Sequence, residues 1–460
     1  MVKKLNITKS NQLYKKALKI IPMGSQTYSK GVKAFSDGVS PKFLKKGKGC
    51  EVWDVDGNKF IDYVMANQPL ILGYADPDVN NAIKKQLNLG STFSVSNKLE
   101  IDVAELLNKH IPDADGARFG KNGADATTIA VRLSRAITKR QHIAFCGYHG
   151  WHDWFIGTTN LNSGIPKFNN QLAHSFIYND ISSLEKIFSK YKKKIACIIM
   201  EPITVNGPKS KPSGSTKWKD YNEKNNFLTD VKNLCRKNGA LLIFDEVITG
   251  FRYDIGGAQK MFNVIPDLSC WAKAMSNGVP ISAITGNWKY LKYLEKTFFS
   301  FTYGGDCIGL AAAKATINKI EKKNVIDHLY SVGKLLKDNM NELSKIYGLE
   351  ELIRCSGYPC RTVMSIRKVK KYNKPLITKT LIQQELMSRG VLWSQYQSIS
   401  FAHKKEHIYK SLNAFEDAFK VLSKIVKSGK KIENSLIGKP CLPFFTRVAD
   451  FNAAALNSKD

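Results

Sequence analysis

The chain has 460 residues, 43% of them hydrophobic, which is enough for two domains with buried cores. Its formal net charge of +31 would suit nucleic acid, yet the excess is spread along the chain and no arginine precedes Arg118. Nucleic-acid sites gather arginine and aromatic residues on one element, and the sequence has no such cluster, so composition argues against a nucleic-acid binder.

The cysteines and the hydropathy of the sequence indicate the cellular compartment. The nine cysteines are scattered singly and form no Cys-x-x-Cys pair, which predicts reduced thiols. No apolar run approaches the length of a membrane span, and the first residues lack the apolar region of a signal peptide. We therefore expect a cytoplasmic protein without membrane contact.

The N-terminal part of the chain predicts helices around one hairpin. An amphipathic helix is predicted around Leu13 to Ile21, and Asp56-Gly57-Asn58 between two alternating runs indicates a hairpin. Helical patterning follows at 77–89 and 99–110. A turn at Asn122-Gly123-Ala124 then leads into a helix through Ile137, and such a helix N-terminus can bind phosphate.

Strands and helices alternate in the middle of the chain. The short apolar runs Ile143–Cys146, Ile195–Met200 and Leu241–Phe244 predict buried strands, and a helix is predicted from Asn226 to Asn238. This alternation indicates an α/β fold with a mostly parallel sheet. Ligands of such sheets bind at the carboxyl ends of the strands, where Asp245 lies.

The pattern changes after an alanine-rich helix that begins near Ile308. Helices at 311–323, 327–346, 377–389 and 405–427 surround short strands near 361–366 and 391–393. We expect a large domain over 61–310 and a smaller α/β domain built from both chain ends, 1–60 and 311–460. A surface loop is predicted at 207–214 and a loose tail at 442–447.

Two positions near the predicted sheet edge indicate chemistry. Lys273 follows another short apolar stretch, so an acid and a lysine after neighbouring strands suggest a cofactor between them. Tyr148, His149 and His152 lie just beyond a strand, where aromatic rings would suit stacking on a flat heterocycle. A metal site of the two histidines is the alternative, but no third ligand follows at a suitable spacing.

Several segments together resemble a known family. The chain is similar to class III (fold-type I) pyridoxal-phosphate aminotransferases, particularly the branch with glutamate-1-semialdehyde 2,1-aminomutase. The resemblance extends from Gly47 to about residue 427 and implies a fold-type I transferase. Its motifs are Val52–Gly57, Tyr148-His149-Gly150, Met200-Glu201-Pro202, Leu241–Arg252 and Lys273.

The resemblance implies a role for each main residue of the site. Lys273 matches the lysine that forms a Schiff base with the cofactor, and it would also move the substrate proton. Asp245 matches the carboxylate that keeps the pyridine nitrogen protonated, and Tyr148 matches the residue stacked on the ring. Glu201 and Val247 match residues that line the same site. Glu246 has no match to a catalytic role, and we expect it to be structural.

The phosphate contacts imply a homodimer with shared active sites. Asn122, Gly123 and Ala124 match the phosphate turn, where the family more often has Ser-Gly-Thr, so both hydroxyls are absent and the backbone donors remain. Thr302 matches a threonine that reaches the phosphate from the neighbouring subunit.

Two departures bear on the substrate. Lys33 stands where the aminomutase has an arginine for the substrate carboxylate, and lysine cannot form the same bidentate pair. Gln397 stands where the aminomutase has a glutamate. These changes favour an aminotransferase acting on a small carbonyl acceptor such as a keto-sugar of surface-polysaccharide synthesis. The alternatives are the aminomutase itself and a non-catalytic protein that keeps the fold as a binding module.

Overall fold

A computed structural model describes residues 5–112, 114–209, 226–367 and 374–442. Most of the predicted surface loop at 207–214, and the predicted tail beyond residue 442, lie outside these ranges. Contacts divide the described residues into two compact units: a large unit, Pro77–Ile326, and a smaller unit that joins residues 5–76 to residues 327–442.

Both boundaries between the units lie later than the predicted positions at 60 and 310. Residues up to Asp76 stay with the smaller unit because the backbones of Gly49 and Tyr74 exchange hydrogen bonds of 2.9 and 2.7 Å. The helix that begins at residue 307 stays with the large unit because its lysines pair with acids of that unit, Lys314 with Asp102 at 2.7 Å among them.

The strands and helices alternate through the large unit as the sequence predicts. The strands are β1 Leu44–Lys48, β2 Glu51–Asp54, β3 Lys59–Asp62, β4 Gly116–Gly120, β5 His142–Cys146, β6 Ala173–Ser175, β7 Ile195–Met200, β8 Leu241–Asp245, β9 Leu268–Trp271, β10 Ser282–Gly286, β11 Ile353–Tyr358, β12 Arg361–Ile366, β13 Val391–Leu392 and β14 Tyr396–Ser398. The α-helices are α1 Thr8–Ile20, α2 Pro77–Leu87, α3 Lys98–His110, α4 Gly123–Thr138, α5 Asp153–Ile156, α6 Lys167–Gln171, α7 Ile181–Lys190, α8 Phe227–Asn238, α9 Gly257–Met261, α10 Trp288–Leu291, α11 Cys307–Lys322, α12 Val325–Ile346, α13 Pro375–Ser388 and α14 Lys405–Lys427.

One seven-stranded sheet forms the centre of the large unit. Its order is β4-β10-β9-β8-β7-β5-β6. The strands from β9 to β6 are parallel, and β10 is antiparallel to both of its neighbours. Every residue of β7 and β8 is buried, which is the burial that continuous apolar runs predict for strands covered on both faces.

Helix α4 packs against this sheet and fixes the position of its own first turn. Its apolar residues Ala126, Ile129 and Leu133 join the core formed by the sheet strands. Burial of this face anchors the helix, because tertiary packing supplies most helix stability in proteins. The start of α4 therefore has a defined place relative to the sheet.

Helix α8 ends where the sequence predicts and delivers the chain into β8. The Asn226 side chain caps its start by accepting hydrogen bonds from the N–H groups of Leu228 and Thr229 at 2.9 and 3.3 Å. Gly239 ends the helix in the left-handed region, with φ of 62°. The strand that carries Asp245 begins two residues later.

The smaller unit contains two sheets. One has the order β1-β2-β3-β13, in which β2 and β3 form the predicted hairpin and β13 adds in parallel to β3. The other has the order β11-β12-β14 and is antiparallel. Among the helices that the structure describes, none has the length and apolar character needed to cross a membrane.

Candidate active site at the carboxyl edge of the large sheet

Strand register brings the predicted cofactor residues to one edge of the sheet. The last residues of β5 and β7 pair with each other, and the last residue of β7 pairs with the penultimate residue of β8. Asp245, at the end of β8, pairs with Cys270, so Lys273 comes three residues after that level. Glu201 directly follows β7, and Tyr148 comes two residues after β5. These residues therefore meet at the edge where parallel sheets bind ligands.

Asp245 is a buried carboxylate held from two directions. Its side chain is only 4% exposed. One carboxyl oxygen, Oδ2, lies 2.7 Å from Nδ1 of His149, and the other accepts the backbone N–H of Val247 at 3.1 Å. The contact with His149 was missed by sequence reasoning, which weighed that histidine for stacking or metal binding. A buried acid with fixed oxygens can hold a proton at the nitrogen of a bound ring.

Glu246 faces away from this arrangement. Its carboxyl group accepts hydrogen bonds from the backbone N–H groups of Ala258 and Gln259 at 3.0 and 2.9 Å, and from the hydroxyl of Thr249. Burial raises the pKa of Glu246 from 4.5 to about 7. The two adjacent acids thus differ in their partners, and those of Glu246 belong to the first turn of α9 and the loop before it.

The predicted phosphate turn is the first turn of helix α4. Asp125 accepts the backbone N–H of Asn122 at 2.7 Å, which fixes the residue before the helix. A Cβ atom added to Gly123 would lie 2.9 Å from Cγ1 of Val247, so the turn approaches the residues after Asp245 closely. The N–H groups of Gly123 and Ala124 belong to the first turn, whose donors have no intrahelical acceptor. This cradle suits a phosphate group, which backbone donors and the helix dipole stabilise.

The loop after β5 is fixed by Glu201. The backbone N–H of Tyr148 donates to Oε1 of Glu201 at 2.6 Å. Gly147 has φ of +129°, and a Cβ there would lie 2.8 Å from the Glu201 side chain, so glycine is required at this approach. The Tyr148 side chain is 42% exposed and meets Phe155 edge to face at 5.4 Å. Its exposed ring can stack on a bound heterocycle.

Lys273 begins a short 3₁₀ helix, Lys273–Ser276, in an uncommon backbone conformation. Its φ of 45° lies in the left-handed region, which costs a non-glycine residue on the order of 1 kcal/mol or more. The side chain is half-buried. Backbone strain of this kind concentrates at functional sites, which agrees with the role predicted for this lysine.

Thr302 lies in an exposed turn of the large unit. The segment before it is held by two arginines: Arg118 donates to the carbonyl oxygen of Phe299 at 3.3 Å, and Arg132 to that of Phe298 at 2.9 Å. After the turn, Asp306 caps helix α11 and pairs with Lys121 at 2.6 Å. The turn is thus anchored at both ends while Thr302 stays exposed.

The two predicted substrate residues belong to the smaller unit. Lys33 is exposed, and its carbonyl oxygen accepts the backbone N–H of Leu442 at 3.0 Å. Gln397 is fully buried. Both its amide atoms are satisfied when the oxygen accepts Nε1 of Trp393 at 2.7 Å and the nitrogen donates to the carbonyl of Thr362 at 3.0 Å. The fold uses this amide, and contact of Gln397 with a substrate stays a prediction.

The alternative of a metal site gains no support from the described residues. Nowhere in them do three or more histidine, cysteine, aspartate or glutamate side chains gather in a group that could hold a metal ion. His149 contacts Asp245, whereas Nδ1 of His152 lies 2.7 Å from the hydroxyl of Thr128. An acid, a lysine and a helix N-terminus at one sheet edge fit pyridoxal phosphate instead.

Comparisons with known proteins agree with this fit. The profile of the family "Aminotransferase class-III" matches residues 34–419. The chain is 32% identical to the glutamate-1-semialdehyde 2,1-aminomutase of Sulfurihydrogenibium sp. (strain YO3AOP1), over 91% of this chain and 100% of the relative. It is also 32% identical to the 3-aminobutyryl-CoA aminotransferase of Cloacimonas acidaminovorans (strain Evry), over 93% of this chain and 100% of the relative.

A solved structure shows the same architecture. The FumI protein of Sphingopyxis sp. MTA144, solved in its PLP internal aldimine form, superposes with a TM-score of 0.81 at 26% identity. The match covers 92% of this chain and 98% of that structure. The predicted fold-type I architecture and the predicted cofactor, pyridoxal phosphate, are thereby confirmed.

Proposed function

We propose that this chain, which belongs to the class-III aminotransferases and depends on pyridoxal phosphate, transfers an amino group from a donor to a separate small carbonyl acceptor. A keto-sugar is the favoured acceptor class. The observation that carries the catalytic part is the register that brings Glu201, Asp245 and Lys273 to one sheet edge.

The side chains at this edge have different roles toward the cofactor. Bound pyridoxal phosphate supplies an aldehyde that takes up amino groups and a ring that withdraws electrons from the bond being broken. Lys273 would provide the amine that holds the cofactor aldehyde, and as a free amine it would take a proton from the substrate carbon and deliver it to the cofactor carbon that carried the aldehyde. Asp245 would keep a proton at the ring nitrogen, and Tyr148 would stack on the ring and limit its movement.

The phosphate is held by backbone donors rather than hydroxyls. Gly123 and Ala124 offer N–H groups at the start of a 16-residue helix whose dipole favours an anion. Glu201 fixes the backbone of the loop that bears Tyr148, and Val247 packs on the phosphate turn, so both act as supports.

A second copy of this chain completes the site through Thr302. Two segments of the large unit carry exposed apolar side chains, including Leu89 and Val95 in one and Phe298 and Tyr303 in the other. Exposed apolar side chains grouped in this way are typical of surfaces that pair with another chain. A homodimer would cover them and bring Thr302 to the partner's phosphate.

The acceptor is the least determined part of the function. Two relatives of equal identity carry names with different substrates, so family membership does not select one. Lysine at position 33 and a neutral side chain at position 397 favour an acceptor other than the aminomutase substrate. Glutamate-1-semialdehyde 2,1-aminomutase is the second candidate, because several relatives of 31–34% identity bear that name.

We also propose a cytoplasmic location. All nine cysteines are free and buried, as expected for a protein kept in a reducing compartment. Activity that is unchanged by strong reductant, together with recovery of the protein from the cytoplasmic fraction of its source cells, would support this location, and recovery from another compartment would contradict it.

A half-reaction assay separates the two candidate functions. The pyridoxamine-phosphate form of the protein is mixed with a panel of keto-sugars and, separately, with glutamate semialdehyde. We expect keto-sugars to restore the pyridoxal absorption. Isomerisation of the semialdehyde with no keto acid released, and no response to any keto-sugar, would contradict the proposal.

The Lys33→Arg variant provides a matched comparison in the same assay. Because arginine restores the planar bidentate partner for a carboxylate, we expect its rate with glutamate semialdehyde to rise roughly fivefold over wild type. An unchanged rate would show that position 33 does not choose the substrate.

A further inference from the structure

His149 holds the carboxyl group of Asp245 in a dry environment. Its Nδ1 lies 2.7 Å from Oδ2 of Asp245, and its side chain has no exposed surface. The other carboxyl oxygen is already bonded to a backbone N–H. Aromatic rings surround the imidazole with centroids 5.3 to 6.4 Å away, namely those of Phe145, Trp154 and Phe155.

The two nitrogens of the imidazole have different surroundings. If Asp245 is the ionised partner of the ring nitrogen, its carboxylate only accepts, and Nδ1 then carries the hydrogen of this contact. The second nitrogen, Nε2, is buried and has no hydrogen-bond partner among the described residues. A proton there would leave a buried donor unsatisfied, which is costly. Among the described residues, Nε2 of His149 therefore has no acceptor for a second proton, and the contact of the ring with Asp245 is made through Nδ1.

We propose that His149 is a positioning residue for the cofactor: its Nδ1–H keeps Asp245 ionised and aimed, so that the proton stays on the pyridine nitrogen. A carboxylate buried without such a donor would more readily take up the proton itself. This inference rests on the proposed role of Asp245 as the partner of the ring nitrogen.

The neighbouring His152 offers a matched control. It lies three residues further along the same loop, but its Nδ1 contacts the hydroxyl of Thr128 at 2.7 Å. Its Nε2 is 3.9 Å from a carboxyl oxygen of Asp125. Substitution of His152 therefore perturbs the same loop without touching Asp245.

Two substitutions at position 149 distinguish a hydrogen-bond donor to Asp245 from a polar side chain that does not reach Asp245. In His149→Asn the amide nitrogen can occupy the place of Nδ1 and still donate to Asp245. In His149→Gln the longer amide reaches the place of Nε2, which has no partner, so the donor to Asp245 is lost. His152→Asn serves as the control variant.

The test measures cofactor affinity with and without the ring nitrogen. Each full-length protein is titrated with pyridoxal phosphate and with its 1-deaza analogue, in which a C–H replaces the nitrogen. We expect His149→Gln to weaken pyridoxal phosphate binding about tenfold, with His149→Asn and His152→Asn within about threefold of wild type. Affinity for the 1-deaza analogue should stay within about twofold in all four proteins.

Several outcomes would overturn the inference. Equal losses for both compounds in His149→Gln would mean that the histidine only shapes the fold, and no loss would mean that it has no role. Equal losses in His149→Asn and His149→Gln would exclude the donor. Should His149→Gln fail to fold, ¹⁵N-labelled pyridoxal phosphate bound to wild type must show a protonated ring nitrogen, and an unprotonated one would overturn the proposal. Wild type that binds neither compound would instead refute the proposed function.

Discussion

The carboxyl edge of the large sheet and the smaller unit teach different lessons about this enzyme. At the edge, strand register fixes the relative positions of Asp245 and Lys273, because neighbouring parallel strands end at the same level. In the smaller unit, Lys33 lies outside the strands, and Gln397 lies in the short antiparallel strand β14, buried against Thr362 and Trp393. The reaction type therefore follows from backbone pairing, whereas acceptor choice depends on individual side chains.

The largest effect should come from the lysine at the edge. Lys273→Ala removes the amine that holds the cofactor and moves the proton, so turnover should fall on the order of 10³-fold or more. Lys260→Ala is the control, since Lys260 in the same unit pairs only loosely with Asp254, at 3.5 Å. Both variants are compared with wild type by their turnover and by the visible absorption of the bound cofactor. If Lys273→Ala kept most of its activity, the edge would not be the reaction site.

The acid at the edge should rank second. Asp245→Asn keeps the shape but removes the charge that holds the ring proton, so we expect kcat to fall roughly 10²-fold. Glu246→Gln changes the adjacent acid, which bonds to the first turn of α9 and should leave kcat within about threefold. Steady-state kinetics of the two variants would contradict the assignment if their effects were reversed.

Crowding at the phosphate turn should produce a smaller effect. In Gly123→Ala the added Cβ would lie 2.9 Å from Cγ1 of Val247, so the helix start must shift, at a cost of about 1–3 kcal/mol. We expect pyridoxal phosphate to bind roughly tenfold more weakly, as measured by titration. Adding Val247→Ala relieves the clash and should recover most of the affinity. No recovery would mean that the turn fails for another reason.

The pH dependence of stability tests the burial of Glu246, the acid next to Asp245. The pKa of Glu246 is raised to about 7 in the folded protein, against 4.5 when unfolded, so its contribution is complete below pH 4.5 and is lost as the pH rises towards 7. For a fully buried group with this shift, the unfolding free energy falls by about 3 kcal/mol over this pH range.

Glu246→Gln should therefore flatten the fall in unfolding free energy between pH 4.5 and 7 relative to wild type. Denaturant titrations at several pH values measure it. The exposed Glu295, substituted in the same way, should leave the slope unchanged. Equal slopes in Glu246→Gln and wild type would show that Glu246 titrates normally.

Much of the edge could be predicted from sequence. The apolar run before Asp245 predicts a buried strand, and the short apolar stretch before Lys273 predicts that the two residues follow neighbouring strands, as the structure shows. The hydrogen bond from His149 to Asp245 could not be predicted, because it depends on the path of a loop and on a side-chain rotamer. The sequence signal for this hydrogen bond was only the order Tyr148-His149-Gly150, which also fits a loop whose aromatic rings stack on a cofactor.

The smaller unit shows why residue identity alone was insufficient to predict a substrate contact. Gln397 differs from the residue of the aminomutase, which suggested a substrate contact, yet packing places its amide between a strand carbonyl and an indole. Such burial is decided by contacts between β12 and β14, which lie more than thirty residues apart in sequence. The roles of Lys33 and Gln397 consequently stay predictions until acceptors are tested.

We expect Lys273 to hold the cofactor at the edge where Asp245 lies. Treating the purified, loaded protein with borohydride, digesting it and mapping the peptides by mass spectrometry tests this claim directly. We expect a pyridoxyl-phosphate group on the peptide that contains Lys273. A label on a different lysine, or a loaded protein that acquires no label, would contradict it.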